Sequence, residues 1–177
     1  LNGYDASAAE GMPGVQKIVE ITGGVAVIAD NTWRAFQAAD AIEFDWGDAP
    51  YPAEQDDHWA HLESIFDDDH LNAEARVEGD VDAAEGEEIS GEYRSPYIAH
   101  APMEPLNAIA HITDEGCEIW TGNQSPTMLQ EEVARVLGLE RGEILVHTPF
   151  LGGAFGRRSH PEAALEAVYL SQAVGRP

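Results

Sequence analysis

The run Phe150-Leu-Gly-Gly-Ala-Phe-Gly-Arg-Arg158 constrains this chain more than any other segment, because it joins a strand-like stretch to a helix-like one through three glycines. Ahead of it, Ile144 to Phe150 is apolar enough for a buried strand. Behind it, Pro161 to Leu170 reads as a helix with proline in its first turn. Glycine lacks a Cβ, so it tolerates positive φ and leaves amide N–H groups open, and a following helix adds partial positive charge. Two readings fit: a backbone that approaches an anionic ligand, and a tight structural turn.

Spacing removes two familiar phosphate loops. A Walker loop needs G-x-x-x-x-G-K-[ST], whereas Gly152 is followed four residues later by Gly156 and then by Arg157. The dinucleotide fingerprint G-x-G-x-x-G is also missing, since Gly152 and Gly153 are adjacent. The bulky Phe155 among the glycines suggests a wall beside a ligand.

The 177 residues suffice for one domain or two small ones, and a hydrophobic content of 44% supports a packed core. The net charge of −24 is unevenly spread. More than half of the acidic residues lie between Asp40 and Glu92, where Arg76 is the single basic residue. Nucleic acid is therefore excluded as a partner, because a phosphate backbone needs clustered Lys and Arg. Cys117 is the sole cysteine, so neither an intrachain disulfide nor an iron–sulfur cluster can be built from this chain. No apolar run has the length of a membrane span, and Leu1 to Asp5 carries no signal-peptide pattern. A start at Leu and a stop just after a helix are expected of a piece of a longer polypeptide.

Val15–Ile21 and Val25–Asp30 flank a Thr22-Gly-Gly24 turn and predict a hairpin. Asn31 caps a helix over Thr32 to Ala41 that buries Trp33, Phe36 and Ala41, and Ile42 to Trp46 returns as a strand, so residues 1–48 read β-β-α-β. Ala53 to Asp67 predicts an acidic helix burying Trp59, Leu62 and Phe66. Asp80 to Gly91 reads as an exposed linker or the start of a strand, and order returns from Gly91 to His100. Leu106–Ile112 and Cys117–Thr121 form a second hairpin about Asp114-Glu-Gly116. A helix follows, capped by Ser125, with Pro126 in its first turn. It buries Leu129, Val133, Val136 and Leu137, pairs Glu131 with Arg135, and stops at Gly138. The order of elements is α+β.

Several clusters carry candidate chemistry. His58 and His61 lie three apart near Asp67-Asp-Asp-His70, but the spacing matches no metal motif, and a solvated acidic helix accounts for it, so no metal ligand is assigned. In His100-Ala-Pro-Met-Glu-Pro105, two prolines stiffen a His and a Glu just after a strand-like stretch. This suits either a site or a kinked connector. Gln124, just ahead of a helix, can donate an amide hydrogen bond to a ligand or to backbone. No nucleophile arrangement has recognisable spacing.

Three phrases in order, Tyr97-Ile-Ala-His-Ala-Pro-Met-Glu-Pro105, Trp120-Thr-Gly-Asn-Gln-Ser-Pro126 and Gly152-Gly-Ala-Phe-Gly-Arg-Arg158, resemble the molybdenum-binding large subunits of the xanthine dehydrogenase and aldehyde oxidase family, most closely the isoquinoline 1-oxidoreductase β-subunit branch. The first fifty residues, with Pro13 to Glu20 and Val25 to Asp30, extend the likeness over nearly the whole chain. The resemblance implies that residues 1–50 end an N-terminal hammerhead-like α+β domain. Residues 51–90 would then be an acidic helix and linker, and 91–177 the first part of a mixed α/β molybdopterin-binding domain. It implies a molybdenum hydroxylase that inserts water-derived oxygen into an aldehyde or N-heterocycle. The cofactor expected is molybdenum-bearing molybdopterin, as its cytosine dinucleotide, and the partner a small [2Fe-2S] subunit.

On the same resemblance Gly152, Gly153, Ala154, Phe155 and Gly156 face the cofactor, and His100, Met103, Glu104 and Gln124 border the substrate pocket. Two departures stand out: Ile98 occupies a position where many relatives carry Gln, and Arg157 replaces a glycine of the commoner loop. The family's glutamate base lies beyond this chain, so no catalytic residue is assigned. The isolated chain is expected to be inactive and not to retain the cofactor. The branch suggests a periplasmic or membrane-associated setting and leaves the cytoplasm open. The alternative function is a non-catalytic acidic binding module that keeps the fold.

Overall fold

The computed structural model describes residues 1–66, 76, 78–80 and 82–177. They form two units: 1–47 together with 99–177, and 48–98.

In the first unit, β1 (Gly3–Asp5) and β4 (Glu43–Asp45) pair antiparallel, with Tyr4 opposite Phe44. The helical turn α1 (Ser7–Glu10) follows β1. β2 (Val15–Ile21) and β3 (Gly24–Ala29) make the expected hairpin, closed where Ile21 faces Gly24 across Thr22 and Gly23, the latter at φ 74°. Helix α2 (Thr32–Asp40) starts at Asn31, whose side-chain oxygen accepts the Arg34 N–H at 3.0 Å. The N-terminal stretch is thus β-α-β-β-α-β, with β1 and α1 added to the predicted order. Three- and four-residue elements are too short to show a periodicity.

The buried face of α2 differs from expectation. Trp33 and Phe36 are exposed, and Ala38 is the fully buried residue of the helix. Alanine lets the helix approach the hairpin closely, and a core of Ala6, Ala9, Ala38 and Ile42 forms there. Large rings at those contacts would hold the layers apart.

The larger core sits under a three-stranded sheet of order β5-β6-β7. β5 (Ile109–Thr113) and β6 (Gly116–Trp120) are antiparallel, whereas β6 and β7 (Ile144–His147) are parallel. A parallel neighbour needs a crossover, which α4 (Pro126–Leu137) supplies. The register sets Trp120 opposite His147, and their rings stack at 4.9 Å. Leu129 and Val133 of α4 pack with Ile119, Ile144 and, from α5 (Glu162–Val174), Val168. Truncating a side chain such as Leu129 to alanine costs about 2–5 kcal/mol in a core of this kind.

Details of α4 depart from its predicted caps and pairs. Ser125 makes no side-chain cap; Asn123 Oδ1 instead accepts the Ser125 N–H at 2.6 Å. Glu131 pairs with Arg141 at 3.2 Å, and Arg135 pairs with Glu132. Gly138 ends the helix at φ 69°, as its sequence position predicts. At the far end of α5, Lys17 Nζ donates to the Ala173 carbonyl at 2.7 Å, a cation at a helix C-terminus.

The second unit holds α3 (Gln55–Ser64), shorter than predicted and without a buried residue. Trp59 and Leu62 are half-buried, but Phe66 is exposed. Arg94 lies over the Trp59 ring at 5.8 Å and bridges Glu63 and Glu92. Residues 82–98 are exposed and have neither helix nor strand, so the strand-like stretch expected before His100 is absent. Pro96 and the acidic residues in this stretch disfavour a ladder. The Asp67-to-His70 part of the metal candidate lies outside the described residues. His58 lies tilted against the Tyr51 ring and edge-on to the Tyr97 ring.

Candidate functional site

The glycine loop begins where β7 ends and finishes in a short 3-10 turn, Arg157–Ser159, ahead of α5. Three of its residues have positive φ: Gly153 at 99°, Phe155 at 53° and Gly156 at 88°. Positive φ is ordinary for glycine but costs a phenylalanine on the order of 1 kcal/mol, and such strain concentrates at functional sites. The consequence is a loop whose polar groups divide between two sides.

One side turns inward and is fully used. Gly152 N–H donates to Glu104 Oε2 at 2.7 Å, and Glu104 N–H donates back to the Gly152 carbonyl at 3.2 Å. Arg158, 2% exposed, donates through Nε to the Gly153 carbonyl at 2.9 Å. Its Nη2 donates to the Glu104 carbonyl at 2.7 Å, to Glu104 Oε2 at 3.0 Å and to the Pro105 carbonyl at 3.4 Å. The Gly152 N–H and the Asn107 amide hold the Glu104 carboxyl below its ordinary value of 4.5 against an opposing effect of burial, with the Arg158 charge adding least. Packing is close as well: a Cβ on Gly152 would lie 2.6 Å from Glu104 Cβ, and one on Gly122 would lie 2.7 Å from Leu151 Cβ.

The other side is open. The N–H groups of Gly153, Ala154, Phe155 and Gly156 donate to no acceptor among the described residues. Phe155 is 67% exposed. Successive free amides, three of them on residues at positive φ, form a donor set for oxygen ligands carrying negative charge. Beside an exposed ring, this is a polar strip with an apolar wall.

The other sequence candidates distribute unevenly around this strip. Glu104 is joined directly to the loop. Gln124 reaches it through its backbone, with N–H donating to the Arg158 carbonyl at 3.0 Å, while its side chain is exposed and makes no hydrogen bond among the described residues. His100 and Met103 are exposed; Met103 is 92% so. Ala101 between them is at φ 40°, a strained turn leading into the Glu104 segment.

Arg158 carries no role in the sequence reading, yet the structure commits it to the Gly153, Glu104 and Pro105 carbonyls and the Glu104 carboxylate, while Arg157 pairs with Glu162 at 3.0 Å. Asn123 was missed altogether, although an Asn two residues before a helix start is a known turn signal. Among the described residues no group of three or more His, Cys, Asp or Glu is placed to hold a metal ion. No helix among them is long and apolar enough to cross a membrane.

Residues 65–177, which include the whole glycine loop and the Glu104 segment, match the family described as the molybdopterin cofactor-binding domain. The chain belongs to this family. Over its full length it is 30% identical to a nicotinate dehydrogenase subunit from Pseudomonas putida, spanning 15% of that protein. It is 27% identical to the β subunit of isoquinoline 1-oxidoreductase from Brevundimonas diminuta, with 97% of this chain covering 24% of that one. The chain therefore spans less than a quarter of the length of these curated relatives. In three dimensions, 99% of it superposes on 28% of quinoline 2-oxidoreductase from Pseudomonas putida 86, with a TM-score of 0.64 at 22% identity. The mixed α/β fold is that of these molybdenum-enzyme subunits, in agreement with the fold and family expected from the motifs.

The donor set suits the group that gives the family its name. Four unclaimed amide N–H groups fit anionic oxygen, and the exposed Phe155 ring fits a planar or apolar neighbour.

Proposed function

We propose that the chain forms one wall of the cofactor site of a molybdenum hydroxylase, an oxidoreductase that hydroxylates an aldehyde or N-heterocycle with oxygen from water. The observation that carries this reading is the row of free amides from Gly153 to Gly156 beside the exposed Phe155. When bound, the molybdenum–pterin group, here its cytosine dinucleotide form, supplies the two-electron oxidation. The chain's residues supply the surroundings. The amides hold anionic oxygen and stabilise developing negative charge without reorganising, the logic of an oxyanion hole. Phe155 excludes water from one side. Gln124, whose amide side chain is uncommitted, offers a hydrogen bond at the pocket edge, and His100 and Met103 border the substrate side.

In this reading electrons leave through a partner subunit. Cys117 is buried, with its thiol pushed up to about 11 chiefly by desolvation and then by Glu118, and a lone thiol among these 177 residues cannot supply the four ligands of a cluster. A small [2Fe-2S] subunit fits this requirement, as do the names of the two relatives, each a subunit of a larger enzyme. Those names, nicotinate dehydrogenase and isoquinoline 1-oxidoreductase, support an N-heterocycle ahead of an aldehyde. The isoquinoline 1-oxidoreductase branch favours a periplasmic or membrane-associated enzyme ahead of a cytoplasmic one.

The test uses the complete enzyme with its partner subunit and two substrate classes, N-heterocycles and aldehydes. Phe155→Ala and Gly153→Val are expected to lower turnover by at least 100-fold, roughly the scale of losing an electrostatic element of a site. Unchanged turnover in both variants would overturn the reading.

A further inference from the structure

The geometry points to Arg158 and Glu104 as positioning residues that set the amide strip of Gly153–Gly156 in place before any ligand arrives. Neither acts as an anion-binding group. The inference rests on the proposed cofactor-facing role of that strip for its functional meaning, but the contacts themselves are independent of it.

Arg158 is the last basic residue of a glycine loop and lies two residues from Gly156, the position in which a guanidinium ordinarily meets a phosphate or carboxylate. Its side chain is instead 1% exposed and turned back into the protein. The fork is divided between two segments. Nε takes the carbonyl of Gly153, and Nη2 takes the carbonyls of Glu104 and Pro105 together with the Glu104 carboxylate. Glu104 Oε2 in turn accepts the Gly152 N–H. The loop is therefore fastened at its entrance by Glu104 and near its middle by Arg158, and both fasteners meet at one carboxylate oxygen.

This arrangement turns two of the free amides, those of Gly153 and Ala154, away from the segments that hold the neighbouring carbonyls. A peptide unit is planar, so fixing a carbonyl fixes the direction of the next N–H. Holding the Gly153 carbonyl inward turns the Ala154 N–H outward. Holding the Gly152 carbonyl on the Glu104 N–H turns the Gly153 N–H outward likewise. The positive φ of Gly153 is what lets the chain satisfy both constraints, and a Cβ there would come 3.0 Å from the Phe155 ring. Lysine could not replace the fork, because an ammonium group lacks the second, rigidly offset donor that reaches Gly153.

Substitution of Arg158 tests the role apart from cofactor binding. Backbone 15N relaxation of the 177-residue chain is measured for wild type, Arg158→Lys and Glu104→Gln. Ile119, fully buried in the main core, reports the rest of the fold. In wild type the order parameters of Gly153–Gly156 are expected near the rigid value of about 0.85, falling below about 0.6 in Arg158→Lys while Ile119 is unchanged. Glu104→Gln keeps an acceptor for Gly152 N–H but loses the charge facing Arg158, so its loop is expected to fall between the two. It also keeps the proposal testable if Arg158→Lys does not fold. Equal loop order in all three proteins overturns the proposal, as does a loss of order at Ile119 matching that of the loop. Failure of the cofactor reading looks different: the loop loosens in the variants, yet molybdenum content of the complete protein does not follow it.

Discussion

Gly116 at the start of β6 lies directly against the Glu143 carbonyl, so closely that a Cβ on Gly116 would overlap that oxygen and stand 3.0 Å from its carbon. The contact lets β6 meet the 3-10 turn Arg141–Glu143 just before β7, and so sets the parallel register in which Cys117 faces Ile144. Gly116 is also at φ 139°, where side chains are strained. Gly116→Ala combines backbone strain with overpacking and is expected to cost about 3 kcal/mol. The midpoint of urea unfolding checks this; an unchanged midpoint would show that the turn can shift.

Asn31 caps α2 through the Arg34 N–H. Removing such a cap costs about 1 kcal/mol. Asn31→Ala should therefore lower the melting temperature by several degrees, whereas Asn31→Ser should lower it less, because serine offers a capping oxygen without setting a second carboxylate against Asp30, to which the Asn31 amide donates at 2.9 Å. Circular dichroism during heating distinguishes the two.

Cys117 gives a prediction with a pH dependence. Its folded-state value of about 11 exceeds its ordinary 9.0, so the thiol form is favoured by folding. The associated stability is complete below 9.0 and is lost as pH rises from there through about 11. Alkylation of the native protein should stay slow at about pH 9, where the denatured chain reacts readily. Rapid labelling of native Cys117 at that pH would place the residue at the surface.

The elements most legible in the sequence were those fixed by local chemistry. The Thr22-Gly23 turn, the Asn31 cap and the Gly138 stop each need a particular residue at a particular φ or hydrogen-bond distance, and each is where its signal put it. Features decided by distant partners were not legible. Nothing near Phe36 says that α2 packs through Ala38, and nothing near Arg158 says that its charge ends on Glu104, fifty-four positions earlier in the chain. Glu131 likewise chose Arg141 beyond the helix over Arg135 within it. For the site, the motifs marked the glycine loop and the Glu104 segment separately. Their union through one carboxylate oxygen required the fold.

The 177-residue chain, purified from cells that make the cofactor, is expected to carry molybdenum far below one atom per chain, because the amide strip and Phe155 lie open on one side. Elemental analysis checks this, and stoichiometric molybdenum would mean that one wall suffices.

The most direct measurement is molybdenum and pterin content of the complete, partnered protein carrying Gly153→Val, compared with wild type and with Trp33→Ser, an exposed residue on α2. Valine is incompatible with φ 99° and crowds the Phe155 ring, so it deforms the strip while the main core around Ile119 is untouched. The account predicts that Gly153→Val loses roughly 90% or more of the bound molybdenum and pterin, on the order of the tenfold set by about 1.4 kcal/mol of binding, with Trp33→Ser equal to wild type. Full cofactor content and full turnover in Gly153→Val would contradict it.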